Sequence, residues 1–435
     1  MSKAPPVLLA LAAGAGAVLG AEWLRRSPSA ASGPWLCVEV AAMAVALGVA
    51  WRRQDELRGR DLIIAAVVFQ LALVAVRHHV GSLGDTDVND VYTQQGHKLL
   101  DGTYPRSEYP PGGVLVFALD NLLGGGSART SNGIVMAGFQ AGLVASICGI
   151  RSRTALWFAA VVAFWPANAY FWLLRYDLAP TALLAAGLLL AERRRFGLAG
   201  VCLGVGAALK WIPALACLSL AIWLFSSRRV REGLRHSGGF LVALAAFNVP
   251  FLAAAPGAVL HAYAAQGPRT VTAESFIYPP LHLLGLAQID RATGHIWESA
   301  ETPHWANTLA IAIQLAVVLG ALMIAVHVRG RLRPAVAVAA LAPASFLLTN
   351  RIFSPQFAVE IEACFVIAAA LLVRSRHGQA VIGCAVMAAT AANALVYPAR
   401  VDHWLYPSVA FFGLAFVLSA VLARIAWSQP ARGAE

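Results

Sequence analysis

The stretch Leu198–Arg235, LAGVCLGVGAALKWIPALACLSLAIWLFSSRRVREGLR, decides how this chain is read. It holds two short apolar runs, Leu198 to Leu209 and Ile212 to Phe225, broken at Lys210-Trp211-Ile212-Pro213 and followed by Arg228, Arg229, Arg231 and Arg235. A proline cannot continue a regular helical hydrogen-bond ladder, so the runs form either one kinked helix or a hairpin of two. In a bilayer this choice sets the side on which the arginines emerge, and with it the side of every later loop.

Composition places the whole chain in that setting. With 59% hydrophobic and 13% charged residues and a mean hydropathy of +0.67 over 435 residues, the apolar surface is too large to hide in one aqueous core. The class is an all-α polytopic membrane protein. The net charge of +11 comes from arginine in short loops, which is what positive-inside orientation produces, and it does not indicate nucleic-acid binding. Cys37, Cys148, Cys202, Cys217, Cys364 and Cys384 sit in apolar segments without paired or metal-like spacing, so they read as small packing residues.

Working outward, spans are predicted near Val7 to Leu24, Trp35 to Trp51, Leu62 to Val76, Ile134 to Ile150, Ala155 to Leu174 and Leu178 to Leu190. After the broken pair come Phe240 to Ala255, Trp305 to Val328, Pro334 to Leu348, Phe357 to Val373, Ala380 to Val396 and Trp404 to Leu422. This predicts a bundle of about 12–14 transmembrane helices, several shorter than the roughly 20 residues of an untilted span. Arg52/Arg53/Arg58/Arg60, Arg151/Arg153, Arg193 to Arg195, Arg228 to Arg235, Arg329/Arg331/Arg333 and Arg374/Arg376 fall on one side only if the broken pair is a hairpin. Arg25/Arg26 alone disagree. Both termini are then expected in the cytoplasm, with the first segment an anchor; a signal peptide fits its pattern but would shift the parity of the loops.

The other side collects the acids, histidines and amides. The expected organisation is a single transmembrane domain, 1–435, with a first large external loop at 77–131 and a second at 256–304. Between them fall the Arg175-Tyr176-Asp177 turn, the Asn350 to Gln356 turn and Tyr397 to His403. A transporter more naturally buries ionisable groups at the midplane between repeated halves, and no internal repeat is evident. Polar groups from distant segments converging on one mouth suit an enzyme acting on a lipid-held substrate.

Five stretches then carry a resemblance: Asp90-Val91-Tyr92 with Lys98 to Gly102, Tyr104-Pro105 and Glu108-Tyr109-Pro110-Pro111-Gly112; Arg175-Tyr176-Asp177; Gly200 to Pro213; Glu274-Ser275 ahead of Leu283-Leu284-Gly285; and Ser354-Pro355-Gln356-Phe357. Together they resemble the polyprenyl-phosphate-sugar-dependent glycosyltransferases of the GT-C fold, and within them the actinobacterial family 87, which includes mannosyltransferases of cell-envelope glycolipids. The resemblance implies a GT-C-like helical bundle with interfacial helices in its external loop. It also implies a polyprenyl-phosphate hexose donor, most simply mannose, with arabinose an alternative. The acceptor would be an envelope glycolipid or polysaccharide, and the site would face outward from the plasma (inner) membrane. Such chemistry needs a base for the acceptor hydroxyl and cationic or amide donors for the departing phosphate. It needs no nucleotide loop, and Gly124-Gly125-Gly126 lacks a Walker lysine.

In the family the acid stands four residues before the tyrosine matching Tyr92, a position held here by Val88. Asp87 and Asp90 flank it and are the two candidate catalytic bases; the structural alternative for one of them is to cap the helix beginning near Val91. No cofactor is expected, although Asp85-Thr86-Asp87 has the Asp-x-Asp form that can hold a divalent ion. Substrate-binding candidates are Glu108, Tyr109, Arg175, Asp177, Lys210, Glu274, Arg351, Gln356, His78 and His79. Each has a structural alternative: a turn for Glu108-Tyr109 ahead of an amphipathic stretch at Val114 to Leu123, a mutual ion pair for Arg175 and Asp177, snorkelling for Lys210, loop carbonyls for Arg351 and Gln356, interface or solvated positions for the rest. Glu360 and Glu362, just inside a span, are further candidates, and Asp402 and His403 share the outward face. A lipid-linked sugar flippase and a non-catalytic envelope scaffold remain as alternatives, and the oligomeric state is open.

Overall fold

The computed structural model describes residues 6–24, 32–80, 87–123, 128–152, 154–265, 267, 269–289, 300–397, 399 and 403–429. The protein is an all-α polytopic membrane protein. The first three helices, α1 (Pro6–Leu24), α2 (Ser32–Arg52) and α3 (Gly59–Val80), pack together. A π-helical turn, Asp87–Tyr92, leads into α4 (Thr93–Leu100), then α5 (Pro111–Leu123) and α6 (Ala128–Cys148). Pro166, which opens a short 3-10 turn, separates α7 (Ala155–Phe164) from α8 (Ala169–Leu174) with a 45° bend. It cannot donate to the helical ladder.

The hairpin reading holds. α9 (Leu178–Glu192) is followed by α10 (Phe196–Leu209), α11 (Pro213–Ser226) and α12 (Val230–Ala254). The start of α10 and the end of α11 lie side by side, with the Phe196 and Trp223 rings 6.1 Å apart and the Arg229 guanidinium over both. α12 then runs parallel to α10. A Cβ on Gly200 would stand 2.0 Å from the His236 carbonyl oxygen, and one on Gly204 2.5 Å from that of Phe240, so only glycine permits this approach. Arg231 and Arg235 belong to α12 itself and not to the preceding loop.

Beyond α12 lie α13 (Pro256–Ala264), α14 (Tyr278–Leu283) and a two-residue antiparallel pairing of Gln288–Ile289 with Ala300–Glu301. The long helix α15 (His304–His327) precedes α16 (Leu332–Leu348), α17 (Ala358–Leu372), α18 (Arg376–Val396) and α19 (Leu405–Ser428). Among the described residues nine helices are long and apolar enough to cross a membrane, and the bent α7–α8 pair makes a tenth. The shorter apolar helices α9, α10, α11 and α16 stand among them. Every residue of α17 is buried, as is almost all of α7, α8 and α16, whereas α12 and α15 keep most of their surface outward. α17 is therefore the centre of the bundle. Cys217 and Cys364 are buried, but Cys37 and Cys384 are exposed and do not pack as expected.

One end of the bundle gathers the arginines. Arg376 donates to the carbonyls of Trp51 and Arg52, Arg193 to Gly149, Arg333 to Arg151 and Arg331 to His327. These are last-turn or following carbonyls that a helix leaves without partners. The clusters sorted by sequence are thus spatial neighbours; Arg25/Arg26 lie outside the described residues. The amphipathic stretch Val114 to Leu123 buries one face of α5 and keeps Leu115, Leu119, Leu122 and Leu123 exposed on the other. Pro111 to Val114 and Val116 to Ala118 of α5 are buried, and a Cβ on Gly112 would meet the Ala208 oxygen at 2.6 Å.

Candidate active site

The end of the bundle opposite the arginines is built from breaks. α8 stops at Arg175, whose backbone is extended, and α9 starts after Asp177. Lys210 is extended between α10 and α11, and Ser354 to Phe357 forms the entry to α17. Breaks leave side chains free to face one another across helix ends, and these four do. Arg175 Nε donates to Gln356 Oε1 at 2.6 Å, Nη1 to the Leu174 oxygen at 2.8 Å, and Nη2 lies 3.4 Å from Asp87 Oδ2. Asn132 fixes the same turn from α6 through the carbonyls of Leu173 and Arg175.

The structural alternative, a mutual pair of Arg175 and Asp177, is not formed. Arg175 turns to Gln356 and Asp87, and Asp177 pairs with Lys210. The Lys210 ammonium also stands 3.6 Å from Glu360 Oε1 and 4.3 Å from the Phe357 ring centroid. Lys210 does not snorkel. A lysine held by two carboxylates that are 0–1% exposed is an internal clasp. It ties the α10–α11 break to the first residues of α9 and α17. Both acids also sit at helix N-termini, where negative charge is favoured. Glu362, two residues further along α17, accepts from the Asn168 amide.

Beside the clasp four rings make a closed cluster. Tyr92 stacks on Phe117 at 4.1 Å, and Tyr109 and Tyr176 meet both edge-on at 5.2–5.7 Å. Burial pushes the Tyr109 phenol well up, with Glu108 and Asp87 adding to the rise and Arg175 opposing it. Tyr109 therefore remains neutral within the ring cluster at the mouth. The π-helical turn fixes which acid reaches that mouth: Asp87 is half-buried against Arg175, while Asp90 is exposed.

The second long loop is strapped across this end. Thr272 N donates to the Arg351 oxygen at 2.9 Å, and Phe353 N to Thr272 Oγ1 at 3.1 Å. Arg351 spends its Nη2 on the carbonyls of Gly267 and Arg269, so it is a loop anchor. Arg269 reaches Glu108 at 3.0 Å, joining the two loops, and Glu274 is buried within the strap. His78 and His79 lie in the last turn of α3 with side chains outside the described residues, as do Asp85 and Asp402, and His403 is exposed. Among the described residues no three His, Cys, Asp or Glu side chains gather as metal ligands.

Two features escaped the sequence. Arg77 pairs with Glu22 of α1, and both Arg77 and Arg175 lie within about 6 Å of the Tyr170 ring (5.8 and 6.0 Å); Tyr170 shares a 2.8 Å hydroxyl contact with Tyr397. Asp120 of α5 is 3% exposed and makes no hydrogen bond. A pair spanning 55 residues leaves no local signal; an acid in an apolar stretch does, and it is the same signal that singled out Glu360 and Glu362.

The family model for glycosyltransferase family 87 matches residues 108–355, more than half of the chain. The matched segment contains Arg175, Asp177, Lys210, Glu274 and Arg351, and ends one residue before Gln356. No curated protein and no solved structure matches the chain.

Proposed function

The chain belongs to glycosyltransferase family 87, and from that premise we propose that it transfers a hexose, mannose in the simplest case, from a polyprenyl-phosphate donor to an envelope glycolipid or polysaccharide. The reaction takes place at the end of the bundle away from the arginines, which positive-inside sorting assigns to the extracytoplasmic face of the plasma membrane. The observation that carries the reading is the Arg175 guanidinium, oriented by Gln356 and facing Asp87 at the mouth. A guanidinium so held is suited to phosphate, whose oxygens accept charge-assisted hydrogen bonds.

In this reading Asp87 takes the proton of the acceptor hydroxyl as that oxygen bonds to the anomeric carbon. The bond from that carbon to the phosphate oxygen breaks, and its electron pair leaves with the phosphate. Arg175 stabilises the charge that develops there, and His78 and His79 supply further donors. Lys210, with Asp177 and Glu360, positions the turn that carries Arg175. Glu108, Tyr109 and Glu274 line the acceptor and sugar side, Arg351 holds the strap above them, and Asp90 positions the π-helical turn. No cofactor enters this scheme.

The test is transfer of labelled mannose from synthetic polyprenyl-phosphate mannose to membrane lipid by the purified protein. Product made by the wild type and lost in Asp87→Asn supports the reading. Movement of intact donor across proteoliposomes without transfer would replace it with a flippase.

A further inference from the structure

We propose that Asp87 and the donor phosphate are alternative partners of the same nitrogen of Arg175, so that donor binding itself releases the base. The inference rests on the reading of the site given above. Its starting point is the unequal grip on the guanidinium. Gln356 and the Leu174 carbonyl hold Nε and Nη1 at 2.6 and 2.8 Å; Leu174 is a buried helix end, and Gln356 follows the buried Pro355, which is fixed from α18 through Asn393. Asp87 faces Nη2 at 3.4 Å, longer than the roughly 2.7–2.9 Å of a tight charge-assisted bond, and its side chain is 34% exposed against 10% for Arg175. Of these three partners, Asp87 is the one an incoming anion can displace.

Charge favours the same exchange. A carboxylate and a phosphodiester each carry one negative charge, so one replaces the other without leaving a buried charge unpaired. Among the described residues, the neighbouring cations Lys210 and Arg77 already face carboxylates, Lys210 those of Asp177 and Glu360 and Arg77 that of Glu22. Pairing with Arg175 favours the ionised carboxylate and opposes its taking a proton; once phosphate takes its place on Nη2, that opposition is removed and the carboxylate can turn to the acceptor hydroxyl. Transfer then puts the hydroxyl proton on Asp87 and a second negative charge on the departing polyprenyl phosphate. Loss of that proton to water restores the carboxylate, which competes for Arg175 and helps release the product.

The test is binding of a polyprenyl methyl phosphate, a phosphodiester with no sugar to transfer, to purified protein in detergent. Asp87→Asn removes the internal competitor, and the expected result is an affinity about fivefold higher than wild type, the scale of a half-exposed ion pair. Asp87→Ala should show the same gain if the amide itself perturbs folding. Adding Arg175→Ala to either variant should abolish it. Unchanged or weaker binding in both single variants overturns the exchange, even if sugar transfer is lost. Tighter binding with sugar transfer retained leaves the exchange standing and removes Asp87 as the base, so the two readings fail separately.

Discussion

Arg175 Nε donates to Gln356 Oε1 at 2.6 Å, joining the end of α8 to the entry of α17 across 181 residues of sequence. The contact aims the guanidinium, because a planar donor fork held at Nε can present Nη2 in only one direction. Arg175→Ala should lower sugar transfer by a factor of roughly 30 to 1000, the effect of losing about 2–4 kcal/mol of phosphate stabilisation. Arg175→Lys should recover little of it, since an ammonium cannot keep both contacts. Gln356→Ala should show a smaller loss with the same donor dependence. Steady-state rates against donor concentration decide, and wild-type rates in Arg175→Ala would take the phosphate site elsewhere.

The two acids of the π-helical turn are expected to separate sharply. Asp87→Asn should reduce turnover by about 10² to 10⁴, the usual contribution of general acid–base catalysis, with expression unchanged. Asp90, exposed on the other side of the turn, should tolerate the same change within about a factor of ten of the wild-type rate. A larger loss in Asp90→Asn than in Asp87→Asn would reverse the two roles.

Lys210→Ala leaves two buried carboxylates facing each other, and removing one partner of a buried pair typically costs about 3–5 kcal/mol. The expected outcome is a lower melting temperature in detergent, with activity lost through instability. Asp177→Asn combined with Lys210→Met should recover part of the melting temperature, because the unpaired charges are fewer. An Lys210→Ala protein with normal melting but poor donor affinity would mean that the ammonium touches the phosphate directly.

Asp120 gives the fold a dependence on pH. Burial pushes its carboxyl from 3.8 up to about 8, so between those values the folded protein holds a proton that the unfolded chain has lost. Stability therefore falls as pH rises through this window, and the cost is complete above about 8. Asp120→Asn should remove the slope: the wild type should melt lower at pH 8.5 than at pH 5.5, and the variant should lose less over the same interval. Parallel melting curves for the two proteins would argue against a buried, proton-bearing Asp120.

Orientation can be measured directly. A reporter inserted in the Ser227–Arg229 turn or after Ser375 should be cytoplasmic, and one at Thr270 external, since α12 crosses once between the first and last positions. Identical reports from Ser227 and Thr270 would undo the assignment of the site to the outer face.

The order and extent of the helices were legible because apolar run length and arginine placement are local properties. So was the break at Pro213, and with it the hairpin. Pairing was not legible, because it depends on how helix ends meet. Arg175 and Asp177 looked like partners two residues apart, yet each turned to a residue from another helix. Lys210 was singled out by its depth in an apolar run, which is a sound signal of function or pairing, but the run cannot say which acid will meet it. The inward packing of α5 depended on glycines at Gly112 and Gly96, whose value appears only when a second backbone is placed against them.

The hairpin of α10 and α11 carries a consequence for the surrounding lipid. Each arm has 14 residues, about 21 Å of helix at 1.5 Å per residue, against a hydrocarbon thickness near 30 Å. A hairpin that starts at the arginine end would bring Lys210, at its tip, several ångströms short of the opposite interface. Lipid beside it would then have to thin or admit water. A phosphate drawn to Arg175 would descend into that depression while its isoprenoid tail stayed in oil, so a polar headgroup and a greasy chain could be accommodated at one depth without pulling the lipid out of its leaflet.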